Sequence, residues 1–166
     1  MSVETLATAK PARALTANLS ALLHCGVEKW NAFRREYPAS IVFNCASFAE
    51  AQLSSIDMHF VLLVESDFRR ADLSCAILER AVLRKSNLRG SDLRRAILDG
   101  ADLCRADLSE ADLRGASLVS TFLKRADLTG ADLSTAQGLT SAQISEAYGD
   151  PRTRLPQDLA RPANWS

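Results

Sequence analysis

Histidine is nearly absent from this chain. His24 and His59 are the only two, and neither lies at a ligand or catalytic-triad spacing. A glycine-rich phosphate loop and a GxSxG element are also missing. The four cysteines, Cys25, Cys45, Cys75 and Cys104, show neither CxxC nor zinc spacing. Charge of one sign is lacking too: 20 Lys and Arg balance 20 Asp and Glu, so no bulk field draws nucleic acid or an anionic membrane. No apolar run is long enough for a signal-peptide core or a transmembrane helix. These absences argue against an enzyme, a metal site, a cofactor, a small-molecule substrate, direct nucleic-acid binding and a membrane role. Unpaired thiols fit a cytoplasmic protein.

What is present is a rhythm. From Ile41 to Thr135 a bulky apolar residue recurs at every fifth position, Leu throughout except Phe43, Phe48, Met58 and Phe68. Two residues before it stands a small residue, usually Ala or Ser, and the clearest copies read ADLSC (71–75), ADLCR (101–105), ADLSE (106–110) and ADLTG (126–130). On an α-helix, successive leucines would step about 140° round the axis and define no face. On a flat strand an odd spacing would send alternate leucines to opposite sides. A constant inward direction every five residues requires a short extended piece and a turn, repeated. That is a solenoid, whose units bury a core only by stacking.

Nineteen tandem quintets of this form resemble the pentapeptide-repeat family, with its A(D/N)LXX consensus. The resemblance implies an all-β solenoid, a right-handed quadrilateral β-helix of about 4–5 coils. Four quintets would make one square coil, stacking residues twenty apart. The Leu and the small residue two before it would point inward, and the other three outward. Within that geometry Cys45, Cys75 and Cys104 lie on different levels, too far apart to bridge. The recurring Asp before the Leu (Asp67, Asp72, Asp92, Asp102, Asp107, Asp112, Asp127, Asp132) belongs to the repeat. It is expected to bond turns or nearby Arg rather than to form a carboxylate site. Ile41, Ile56 and Val61 beside Phe43, Phe48 and Met58 predict a less regular start.

The flanks read differently. Residues 1–12 carry no period and are expected to be mobile. Residues 13–40 form a helical N-terminal cap: Leu15 and Leu19 recur at helix spacing, Gly26 is set to end that helix, and Val27, Trp30 and Phe33 line one face of the next. Lys29, Arg34, Arg35 and Glu36 fall elsewhere on it, and Pro38 stops it. The β-helix spans 41–135. Residues 136–166 hold a C-terminal cap helix, opened by the capping box Thr140-Ser141-Ala142-Gln143 and closed at Gly149, then an extended tail pinned back by Leu155 and Trp165.

Function follows less directly. The expectation is a non-enzymatic scaffold or protein-binding module that meets an unidentified protein or a second copy of itself. Its surface is an outward apolar strip. The residue before the Leu is apolar at Val42, Leu62, Val82 and Phe122, interrupted by Asp102, on one face, and at Ile77 and Ile97 on the preceding face. Phe60 and Val119 stand nearby, and Arg84, Lys85, Arg105, Lys124 and Arg125 lie alongside. The family resemblance supplies the alternative, a DNA-mimicking protector or inhibitor of a type II topoisomerase. Between residues 41 and 135, however, 14 acidic and 12 basic side chains leave a net of only −2. Duplex mimicry needs a strong continuous negative field.

Overall fold

The structure, a computed structural model, describes residues 26–165. The helix expected around Leu15 and Leu19 lies outside them, as do residues 1–12. The boundary between the chain's two compact units falls after Pro38.

Before that boundary, α1 (Val27–Glu36) forms as the apolar spacing predicts and stops at Tyr37, whose amide donates to Phe33 O. Trp30 is fully buried, as expected, and Phe33 stacks on Tyr37 with ring centroids 5.0 Å apart. Arg34 departs from expectation. It lies one turn beyond Trp30 on the same face, is also fully buried, and donates through Nη1 to Tyr37 O.

Beyond the boundary every quintet adopts one conformation. The residue before the Leu forms a parallel bridge to the residue twenty positions later, without interruption from Val42↔Leu62 to Ser117↔Gln137. Each rung is therefore a closed circuit of four quintets. We number the faces by these columns. Face 1 carries Val42, Leu62, Val82, Asp102 and Phe122, and face 2 Ser47, Asp67, Asn87, Asp107 and Asp127. Face 3 carries Gln52, Asp72, Asp92, Asp112 and Asp132, and face 4 Asp57, Ile77, Ile97, Ser117 and Gln137.

Backbone hydrogen bonds explain the repeat unit. In the quintet 71–75, Leu73 N donates to Asp92 O and Cys75 N to Arg94 O on the next rung, while Asp72 N donates to Ala51 O on the previous one. Ala76 N closes the turn onto Leu73 O at 3.0 Å. Four of the five amides are thus satisfied by main chain. From Cys45 to Gly130 the last residue of each quintet sits at positive φ and the one before it does not, which is a type II turn. Fourteen of those corner residues are not glycine and hold φ between 53° and 61°. The stack therefore carries many left-handed residues that only its hydrogen-bonded rungs hold in place.

Inside, the small and large columns are buried from Ile56 to Leu133, with Leu73, Leu93 and Leu113 in one stack. Buried hydroxyls in the small column bond turn carbonyls, as Ser86 does to Leu83 O and Thr121 to Leu98 O. The bulky first rung keeps the twenty-residue register; Phe48 stacks on Phe68 at 4.9 Å and meets Phe43 edge-on. The less regular start expected from Phe43, Phe48 and Met58 is therefore not seen in the bridging pattern.

At the far end the quintets give way to α2 (Ser141–Ser145), which begins with the expected reciprocal Thr140–Gln143 cap. It ends before Gly149, earlier than the sequence suggested. In chain order α2 occupies the slot of another face-1 quintet. Gln143 Nε2 donates to Leu118 O and Thr121 O, and Ile144 is fully buried. The chain then rejoins the lattice through Tyr148, bridged to Asp127, and Arg154, bridged to Asp132. Gly138 is required there, because a Cβ would lie 2.4 Å from Val119 Cγ2. Trp165 does pin the tail: it is buried, donates Nε1 to Ala147 O at 3.1 Å, and packs where Gly149 has no side chain. Leu155 is half-buried.

Candidate docking surface

One amide per quintet, that of the residue after the Leu, is left over by the main-chain pattern. On faces 2 and 3, from Asp67 onward, the residue before the apolar inward position supplies its acceptor. Asp72 Oδ1 receives Ser74 N, Asn87 receives Arg89 N, Asp107 receives Ser109 N, and Asp132 receives Ser134 N, all at 2.9–3.1 Å. This is the Asx turn, and it is why the repeat carries Asp or Asn there.

Where Asp caps an Arg on these faces, the Arg folds back on the same carboxylate. Arg69, Arg94 and Arg114 each donate Nε and Nη2 to Asp67, Asp92 and Asp112. These side-chain hydrogen bonds hold the three carboxyls below their ordinary range against a smaller opposing effect of burial. The Asp ladders are thus bonded into turns and, where Arg follows, neutralised, as the repeat suggested.

Faces 1 and 4 are built differently. Val42, Leu62 and Val82 are successive bridge partners, and so are Ile77 and Ile97. An apolar side chain caps nothing, so these faces find other acceptors or none. Val64 N donates to Asn44 Oδ1 and Val119 N to Asp99 Oδ1, each one rung below. Among the described residues the amides of Glu79, Arg84, Asp99 and Lys124 donate to no carboxylate.

The structure brings the predicted strip together in two blocks. Leu62, Ile77 and Val82 are half-buried by their rung neighbours and form the inner part. Phe60, Ile97, Val119 and Phe122 are the protruding part, from 39% exposed at Phe60 to 59% at Phe122, with Val42 also exposed. Phe60 lies at the corner between faces 4 and 1, partly covered by the Arg80 guanidinium 5.5 Å from its ring centroid. Asp102 separates Val82 from Phe122 and is itself engaged by Arg84 Nε and by Cys104 N.

The basic border splits in a way the sequence did not reveal. Arg84 pairs with Asp102, and Lys85 with Glu65 at 2.8 Å. Arg105, Lys124 and Arg125 enter no ion pair among the described residues, and with Cys104 they line a shallow cleft of about 260 Å³. The Cys104 thiol is pushed up by burial and by the Asp102 carboxylate, the opposite of a nucleophilic thiolate. Cys45 and Cys75 are also free thiols. Among the described residues no cluster of His, Cys, Asp or Glu could hold a metal ion, and no helix is long and apolar enough to cross a membrane.

Comparison with known proteins agrees with this architecture. The family model for pentapeptide repeats (8 copies) matches residues 51–90, 62–100 and 96–134. A pentapeptide repeat protein from the Arabidopsis thaliana thylakoid lumen is 25% identical with a TM-score of 0.60, covering 71% of this chain and 81% of its own. Another, from Nostoc Pcc 7120, is 31% identical with a TM-score of 0.43, covering 81% of this chain and 84% of its own. A trypsin-treated form of QnrB1, a plasmid-mediated fluoroquinolone resistance protein, is 17% identical with a TM-score of 0.34, covering 75% of each chain. That last likeness is too slight to carry a functional argument. A search of curated proteins finds no significant match. With its unbroken quintets, its twenty-residue rungs and the family-model match over residues 51–134, the chain belongs to the pentapeptide-repeat family.

Proposed function

We propose that this protein is a non-enzymatic binding module that docks a protein partner on the apolar strip shared by faces 1 and 4. The observation that carries the reading is the replacement of Asx by apolar residues on two neighbouring faces only. Scattered exposed apolar groups need no explanation, but bridge-partnered columns of them with a charged border are the usual make-up of an interaction surface. The right-handed winding of the solenoid follows from family membership.

The alternative, duplex mimicry toward a type II topoisomerase, draws less support. The carboxylates of Asp67, Asp92 and Asp112 are matched by Arg69, Arg94 and Arg114, so the Asp faces are locally dipolar rather than strongly anionic. Low-micromolar inhibition of gyrase supercoiling, relieved by salt, would restore that alternative.

The docking reading is tested with the double variant Val82→Asp, Phe122→Asp, which installs the repeat's own commonest residue at both positions. Circular dichroism should be unchanged. Sizing and pull-down profiles from native cytosol should lose bands that a face-3 control, Arg114→Ala, retains. Identical profiles for all three proteins would remove faces 1 and 4 from consideration.

A further inference from the structure

We propose that the partner presents an acidic amphipathic segment, with apolar side chains seated on Ile97, Val119 and Phe122 and carboxylates on Arg105, Lys124 and Arg125. This deepens the docking reading and rests on it.

Charge complementarity is the argument. Around the solenoid most basic side chains already have acidic partners: Arg69, Arg94 and Arg114 within their own quintets, and Arg89 with Glu110. The cations along the corner between faces 1 and 2 divide by height. Arg84 and Lys85, lower down, are neutralised by Asp102 and Glu65. Arg105, Lys124 and Arg125, higher up, form no ion pair among the described residues, and Lys124 and Arg125 share the quintet of Phe122, the most exposed large apolar side chain described. Three of the four solenoid cations without an ion pair therefore lie on the corner next to the protruding end of the strip; the fourth, Arg95, stands on the corner between faces 3 and 4.

A second copy of the chain would not satisfy that charge. On the corner between faces 4 and 1, within the strip, Glu79 lies 3.8 Å from Arg80, and Asp99 is engaged by Ser117 Oγ and Val119 N; the strip's other border, the corner between faces 3 and 4, carries Arg94, Arg95 and Arg114. A lipid surface fits less well, because the apolar side chains lie along β-rungs, several of them half-buried, rather than on a projecting loop or amphipathic helix. For nucleic acid, three free cations beside apolar columns give a small electrostatic contribution and nothing to pair with the bases.

The test is selection from a random peptide display library on the immobilised full-length chain, followed by fluorescence anisotropy with the most enriched synthetic peptide. Enriched peptides should combine aromatic or aliphatic residues with Asp or Glu and carry net negative charge. Affinity should fall at least tenfold in the Arg105→Glu, Arg125→Glu variant, and fall with added salt. It should be lost in Val82→Asp, Phe122→Asp. Neutral or basic enriched peptides that survive charge reversal but not the apolar double variant would refute the acidic partner and leave the docking strip standing. Peptides that bind the apolar double variant as well as wild type would refute the strip itself. No enrichment above a blank support would overturn both, as would dimerisation or sedimentation with phosphatidylserine vesicles as the only association observed.

Discussion

Faces 2 and 3 and faces 1 and 4 share a backbone and differ in what one outward position does. On faces 2 and 3 that residue turns inward on its own quintet: Asp72, Asp92, Asp112 and Asp132 each accept the one amide that the rungs leave unbonded. On faces 1 and 4, Val82, Ile77 and Ile97 give up that local bond and present apolar surface instead. A repeat lattice can therefore forgo a cap at some quintets because its rungs and leucine stack hold without it. The difference separates residues that build the solenoid from residues available to a partner.

The largest effect should come from the column common to all faces. Leu93 is fully buried between Leu73 and Leu113, and Leu93→Ala should lower unfolding free energy in denaturant titration by about 2–5 kcal/mol. Leu93→Arg should leave insoluble or unfolded protein, because a buried charge there has no partner. Soluble Leu93→Arg protein with a wild-type spectrum and melting point would break the register described above.

Next come the caps. Asp72→Ala removes the acceptor of Ser74 N without disturbing an Arg pair, and should cost about 0.5–1.5 kcal/mol. Val82→Asp should cost nothing or stabilise slightly, since Arg84 N gains the acceptor it lacks. Equal losses at both sites in the same titration would erase the distinction between the faces.

Acid should act on the quintet carboxylates that are paired with Arg and titrate low, three of them on faces 2 and 3 and one, Asp102, on face 1. Asp67, Asp92 and Asp112 titrate below the ordinary 3.8 in the folded chain. The stability they contribute is therefore complete above about pH 4 and is lost as pH falls through their lowered values. Melting temperature followed from pH 6 to pH 2 should drop below about pH 4, and less steeply in the Asp92→Asn, Asp112→Asn variant.

The smallest effect concerns the corners. Ser120 holds φ 55° with an exposed side chain. In Ser120→Gly, relief of about 1–2 kcal/mol of left-handed strain is offset by about 0.5–1 kcal/mol of extra chain entropy. A net gain of about 0–1.5 kcal/mol is expected from the denaturation midpoint.

The solenoid was legible because one period dictates it: Leu every fifth residue admits no ordinary helix or strand, and the twenty-residue bridges agree with the square coil. The columns of the strip followed from the same arithmetic, so Val82, Ile77 and Ile97 fall where the sequence puts them. Less legible were features set by side-chain conformation. Arg84, fourth in its quintet, reaches the Asp102 carboxylate one rung up, whereas Arg105, fifth in its quintet at the left-handed corner, reaches none, and that difference depends on side-chain conformation across rungs. Arg34 was misplaced because charge alone argued for exposure, whereas its long stem is buried with Trp30 on one side of α1. The end of α2 was overextended because Gly149 resembles a helix stop; its role is to leave room for Trp165.

The division between faces is tested most directly by amide hydrogen exchange resolved residue by residue. Ser74, Arg94, Arg114 and Ser134 have Asp acceptors and should exchange slowly. Glu79, Arg84 and Lys124, at the equivalent position on faces 4 and 1, should exchange markedly faster in the free protein. Equal protection at the two sets of amides would contradict the account, because it would mean that the residue before the Leu does the same work on every face.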